Sequence, residues 1–331
     1  MSKNSQPRRG SLQFWPRKKA TRLLNSVNWK ALSSKNLEKS EKPGFLGFIV
    51  YKAGMASCIA KDNTEHSLTK GKKIAIPATI LEAPPIKIFS VRFYRHHKPI
   101  KDIIVGTDKE LKKILRLPKK SEKDKNAEKL LNEMTDYDDI RVIIYSLISK
   151  TGIKRTPDLV ETALSGKKEE KLEIIKKFLN KEISIKDVAE NFSDNLVDVR
   201  GVTKGHGFQG PVKRFGIRLR QHKSEKGVRK VGSIGPWHPA RLMFTVPMAG
   251  QTGFFTRISY NNKILHIGKD SENIQKINPK QGWKHFGKIK TDYIILRGSV
   301  PGAKKRALLL TKTLRPTKKQ LKKNYEFLEL R

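Results

Sequence analysis

The sequence predicts a mainly β protein: a small β-barrel interrupted by an α+β insertion, with a long basic finger loop and extended basic termini. Three observations carry this. Apolar, β-branched and aromatic runs of strand length cluster at 45–99 and again at 196–310. Helix-type spacing and capping signals are confined to 100–195. The cationic excess lies almost wholly outside that middle segment.

The chain has 331 residues with 71 Lys+Arg against 31 Asp+Glu, a formal net charge of +40. That length exceeds the size at which one hydrophobic core usually stops growing, so two domains or one domain with a large insert is expected. Residues 100–199 hold 21 basic and 20 acidic side chains, whereas 200–260 hold 12 and 1. Charge kept only for solubility would intersperse the signs. This partition sets a near-neutral module beside flanks suited to a polyanion. The single cysteine, Cys58, excludes an internal disulfide framework and a cysteine-rich zinc site, and inside Met55–Ile59 it reads as a small buried apolar group. No apolar run reaches the ~20 residues of a membrane-spanning helix. Residues 1–19 lack the apolar stretch of a signal peptide. A reducing, cytoplasmic setting with no membrane partner is expected.

Taken in order, residues 1–44 have no sustained period and read as a basic arm that orders on its partner. Barrel strands follow over 45–99: Phe45–Tyr51, a turn at Lys52-Ala53-Gly54, then Met55–Ala60, Lys73–Leu81 and Ile86–Tyr94. The insertion, 100–195, opens on a capping box from Thr107 to Glu110. It continues with a helix at Ala127–Met134, a strand at Arg141–Ile148, a helix at Glu169–Leu179 that places Leu172, Ile175 and Leu179 on one face, and a Ser184 to Asp187 cap. The barrel resumes over 196–314, beginning with a strand at 196–204. A hairpin is expected at Asn261-Asn262, between Phe254–Tyr260 and Ile264–Ile267, and another at Lys290-Thr291-Asp292, between Phe286–Ile289 and Tyr293–Leu296. A last strand falls at Arg306–Leu310, and 315–331 reads as a basic tail. Within the second barrel part, 205–252 has no period long enough for a standard element. A loop of that length in a compact protein is usually functional or disordered.

Chemistry-bearing motifs are few. Gly205-His206-Gly207-Phe208-Gln209-Gly210 matches a dinucleotide fingerprint by letter, but no amphipathic helix follows and no acid stands about twenty residues on. Glycines that let backbone approach phosphate closely are the better account, with Lys204, His206, Lys213, Arg214, Arg218 and Arg220 around them. Gly235-Pro236-Trp237-His238-Pro239-Ala240 places one tryptophan in a proline-stiffened basic loop, flanked by Arg229, Lys230 and Arg241. Such a tip suits insertion into folded RNA, where the ring stacks on a base. The competing reading packs Trp237 back on the barrel. Gly298–Gly302 leads into Lys304, Lys305 and Arg306, a second candidate phosphate contact. Basic residues of the arm (Arg8, Arg9, Arg17, Lys18, Lys19) complete the candidate RNA-binding set with Trp237 and His238. Metal ligation lacks a His/Cys cluster, and nucleophilic catalysis lacks a G-x-S-x-G, so no enzyme activity and no cofactor are expected. An RNA-modifying enzyme, or another non-ribosomal RNA-binding protein, is the alternative.

Five stretches occur in order over nearly the whole chain: Arg9-Gly10-Ser11-Leu12 through Pro16-Arg17-Lys18; Tyr51-Lys52-Ala53-Gly54-Met55; Val202 through Arg214; Gly235–Ala240; and Gly298–Gly302 with Lys305-Arg306. Together they resemble the ribosomal protein L3 family, the universal third protein of the large ribosomal subunit, in its archaeal form. The resemblance implies a translation-factor-type barrel and a finger running through large-subunit ribosomal RNA toward the peptidyl-transferase centre. It places Trp237 near the aminoacyl-tRNA entry corridor. It implies a structural role in translation and early assembly. The implied partners are large-subunit ribosomal RNA with its magnesium ions, neighbouring ribosomal proteins and translation factors near the factor-binding side, and no homo-oligomer. The chain departs from the family pattern at His206, where a lysine is expected, and at Phe215, where a tryptophan is expected.

Overall fold

The computed structural model describes residues 10–37, 43–106, 108–116, 125–134, 136–192, 195–268 and 277–331. It is mainly β, with six short helices among these residues. The chain divides into two compact units, one of residues 1–21 with 202–256 and one of 22–201 with 257–331.

The larger unit holds two antiparallel sheets. The first has five strands: β1 (Gly44–Phe45), β4 (Ile86–Arg95), β5 (Lys98–Ile104), β6 (Asp139–Ser146) and β7 (Leu159–Ser165), in the order β1-β7-β6-β4-β5. The second has seven: β2 (Gly47–Asp62), β3 (Lys73–Glu82), β8 (Leu196–Val202), β11 (Thr256–Gly268), β12 (Tyr293–Arg297), β13 (Ala307–Lys312) and β14 (Tyr325–Leu330), in the order β13-β8-β11-β12-β3-β2-β14. β13 also pairs with β2, Leu309 opposite Ile49, so the hydrogen-bonded order returns to its start. β8 is buried at every position, as its valines and leucine predict.

The helices fill in around the sheets. α1 (Trp29–Leu37) buries Trp29 and Leu32 against Leu46, Ala163 and Leu309. α2 is Lys125–Glu133. In α3 (Lys168–Lys177) the expected face is real, with Ile175 buried and Leu172 packed on the core. α4 (Ile185–Ala189) starts at the expected cap: the Ser184 N–H and hydroxyl both donate to Asp187 Oδ2, at 2.8 and 2.9 Å. Thr107 lies outside the described residues. No helix among the described residues is long and apolar enough to cross a membrane.

Several expectations need correction. The strand at 86–95 does not join the sheet of β2 and β3; it lies between β5 and β6. The turn expected at Lys52–Gly54 is a bulge inside one long strand, because the β2–β3 register slips there and then runs on to Lys61 opposite Lys73. Lys52 Nζ donates to Val300 O at 2.7 Å, which anchors the bulged backbone over the 298–306 loop. The Asn261 hairpin is likewise absent. Asn261 does adopt φ +56°, but its N–H donates to the Asp198 carboxylate at 2.8 Å and β11 continues. β12 lacks the 286–289 hairpin partner and pairs with β3 and β11 instead. Residues 315–331 are no tail. They form α6 (Lys318–Leu321) and β14, whose Tyr325 pairs opposite Asp62 of β2. The arm is not wholly extended, since its 29–37 segment is α1.

The smaller unit contains a two-stranded ribbon, β9 (Gly205–Gln209) with β10 (Gly250–Gly253), and a short helix α5 (Pro211–Phe215). So the Gly-rich motif is in fact a strand, and a helix does follow it, of five residues only. Between Gly216 and Ala249 there is neither helix nor strand, as expected of the finger.

Candidate nucleic-acid interface

Among its described residues the smaller unit buries only two apolar side chains, Val202 and Phe215, and its sequence carries sixteen Lys+Arg against one acid, Glu225. The larger unit has 55 against 30. A compact unit so charged needs a way to hold its cations close together. One arrangement is visible around Phe215. This ring is buried, with Trp15 stacked on it at 6.0 Å and the Arg17 guanidinium 4.3 Å from its centroid. Arg214 lies 5.1 Å from the same centroid and donates through Nε to Gln251 O at 3.0 Å and through Nη1 to Met248 O at 2.8 Å. A methyl group at Gly250 would sit only 3.0 Å from that guanidinium, so glycine there permits the close approach. Burial lowers the pKa of both arginines, and the charge of Arg17 further lowers that of Arg214.

The sequence-selected cations therefore fall into two kinds. Arg17 and Arg214 are half-buried and hydrogen-bonded to backbone carbonyls. Arg220 is similar, its Nη2 donating to Val231 O at 2.9 Å. Lys18, Lys19, Lys204, Lys213, Arg218, Arg229, Lys230 and Arg241 are exposed. Lys19 Nζ stands 5.5 Å from the Phe254 ring, while the other seven make no salt bridge among the described residues. His206 and His238 are exposed as well. Arg8 and Arg9 lie outside the described residues.

Trp237 is 88 % exposed, and its neighbour His238 meets it edge-on at 6.4 Å. The ring does not pack back on the protein. In the larger unit, Lys304 Nζ donates to Lys284 O at 2.6 Å, Lys305 is exposed at φ +64°, and burial lowers the Arg306 pKa. The Lys52 ammonium also reaches Gly302 O at 3.3 Å, so the loop that presents these cations is held from beneath. The sequence reading missed that tie, and it missed two exposed rings, Phe208 and Phe244. A signal for Phe208 was available: an aromatic among glycines and polar residues has no apolar face to join.

The described residues contain no group of three or more His, Cys, Asp or Glu side chains able to hold a metal. Exposed cations, backbone-rich glycine segments and an unpacked tryptophan can neutralise phosphates and stack on bases.

The sequence model of ribosomal protein L3 matches residues 1–330. The chain belongs to this family. The large ribosomal subunit protein uL3 of Methanosphaera stadtmanae is 39 % identical over 332 residues, which cover 97 % of this chain and 95 % of that one. The protein of the same name from Methanocaldococcus jannaschii is 39 % identical over 96 % of this chain and 94 % of its own length. That from Pyrobaculum calidifontis is 40 % identical over 96 % and 94 %. The family's extent includes both the ribbon of β9 and β10 and the Trp237 segment.

Proposed function

We propose that this chain is a structural, non-catalytic constituent of the large ribosomal subunit in the cytoplasm and binds large-subunit ribosomal RNA. The observation that carries the reading is the smaller unit: sixteen cations to one acid around a finger, 216–249, that has no secondary structure and leaves Trp237 exposed. Folded RNA supplies the phosphates such a unit needs and the stacked bases its tip can join. The relatives' shared name supports the subunit assignment.

In this reading the finger reaches toward the peptidyl-transferase centre, with Trp237 beside the aminoacyl-tRNA path. The exposed cations of the arm and ribbon, and Lys304 to Arg306, neutralise RNA phosphates. The six strands whose pairing returns from β13 to β2 serve as the translation-factor-type barrel. The near-neutral module centred on 100–195 is its insertion, and 1–44, 196–314 and 315–331 contribute arm, second barrel part and C-terminal cover. Neighbouring ribosomal proteins and translation factors are the protein partners, the chain acts as one copy, and any magnesium is held by the RNA.

Two measurements test this. The chain should remain with the large subunit after a high-salt wash; quantitative release would overturn a wedged, structural role. Affinity of the free chain for a large-subunit RNA domain should fall steeply with salt, since each neutralised phosphate releases counterions. A flat salt dependence would overturn phosphate neutralisation as the mechanism.

A further inference from the structure

Phe208 is 77 % exposed, yet it sits on a hydrogen-bonded strand rather than in a loop. It pairs opposite Gln251 in the β9–β10 ribbon. The next residue, Gln209, ties the strand to itself by donating from Nε2 to His206 O at 2.8 Å. Helix α5 starts at Pro211, immediately after. The backbone carrying the ring is therefore fixed on both sides, and little ordering entropy is left to lose when something covers it. The surroundings are open: a methyl group built on Gly207 or Gly210 meets no atom within 4 Å among the described residues.

An exposed aromatic ring on a rigid support offers a ready face to a covering group, and its neighbours restrict what that group is. An apolar protein partner favours a contiguous apolar patch. Here the sequence on either side is His206, Gly207, Gln209 and Gly210, with exposed Lys204 and Lys213 beyond. A flat apolar ring surrounded by cations and open backbone matches a ligand that is itself flat in one part and anionic in the next. We propose that Phe208 is a stacking platform for an unpaired base of RNA, with the adjoining phosphates held by Lys204 and Lys213. The inference rests on the RNA-binding reading above and goes beyond it, in that the ribbon takes a splayed-out nucleotide and not duplex backbone alone. Stacking is tolerant of base identity because every base offers a π-face.

The test uses the full chain, a twelve-residue oligoadenylate, and an abasic ribose-phosphate oligomer of the same length and charge. The wild-type chain should bind the oligoadenylate about 10-fold more tightly than the abasic oligomer, as expected for one stacked base. Phe208→Leu, which keeps an apolar side chain on the strand, should lose most of that preference with unchanged affinity for the abasic oligomer and unchanged melting temperature. Phe208→Trp should retain it. A preference that survives in Phe208→Leu would overturn the proposal and assign the stacking to another ring, Trp237 first. Equal, salt-dependent binding of the two oligomers by the wild type would overturn it while leaving phosphate binding intact. Absence of salt-dependent binding to either would overturn the RNA-binding reading and this inference with it.

Discussion

The Arg17 guanidinium covers the ring of Phe215 at 4.3 Å, and Arg17 Nη1 donates to the carbonyl of Arg214 at 3.3 Å. One aromatic ring thus joins residues 15–17 to the end of α5, nearly two hundred positions later. Like charges would otherwise drive these segments apart; the ring quadrupole and the backbone carbonyls supply the compensating attraction. Phe215→Ala should therefore act locally. The loss is expected to be about 3 kcal/mol, the usual scale for a buried phenylalanine. Hydrogen exchange would report it: the amides of Gly216, bonded to Val212 O, and Ala20, bonded to Phe254 O, should exchange faster. Amides in β13 should keep wild-type rates. Equal acceleration everywhere would show that Phe215 supports the whole chain.

Glu82 gives a pH-dependent prediction. Its carboxylate is fully buried, Oε1 accepts from the Lys290 and Thr291 N–H groups at 2.8 and 3.2 Å, and Oε2 has no hydrogen-bond partner among the described residues. Burial raises its pKa above the ordinary glutamate range, the hydrogen bonds only partly opposing this. A raised folded-state value means stability that is present below the ordinary value of about 4.3 and lost as pH rises through the folded one. Denaturation midpoints of wild type and Glu82→Gln should diverge with pH. The wild type should lose ground to the variant as pH rises from about 4 toward neutrality. A difference constant across that window would show that Glu82 ionises without cost.

Local pattern made β3, β6, β8 and β13 readable, because their apolar alternation or runs coincide with burial. The misreadings have long-range causes. Lys52-Ala53-Gly54 has turn chemistry, but Lys52 Nζ finds carbonyls nearly 250 residues away, and Trp283 lies so close over Gly54 that a side chain there would collide with it. Asn261 has the positive φ that its residue type favours, but the Asp198 carboxylate takes its N–H and keeps the strand going. β14 was hidden by its basic setting, although Phe327 stacks on His266 at 4.8 Å. For the candidate interface, the total charge was legible from composition. Which arginines are consumed internally was not, since Arg214 and Arg220 bond to main-chain carbonyls that carry no sequence signature.

Trp237 separates stability from interaction. At 88 % exposure its ring contributes little burial, so Trp237→Ala should change stability by no more than about 0.5 kcal/mol. Incorporation into large subunits, or accommodation of aminoacyl-tRNA by subunits that contain the variant, should nevertheless suffer. A clear drop in the melting temperature of the isolated chain would place the ring in a packing role instead.

The two kinds of cation should part company in a salt titration. Lys230 is exposed and without a salt bridge among the described residues, so Lys230→Gln removes one of the cations proposed to neutralise phosphate while breaking no ion pair among those residues. Affinity for large-subunit RNA should weaken, the slope of log K against log salt should shrink by about one, and the melting temperature should hold. Arg214→Gln removes two hydrogen bonds to Gln251 and Met248 and a cation beside Phe215, so it should lower local stability as well. Its RNA affinity should fall by more than its change in slope accounts for, because part of the loss is preorganisation rather than charge. If both variants showed the same slope change and the same unchanged melting, the internal role of Arg214 would be refuted and every cation of the unit would act as a simple counter-charge.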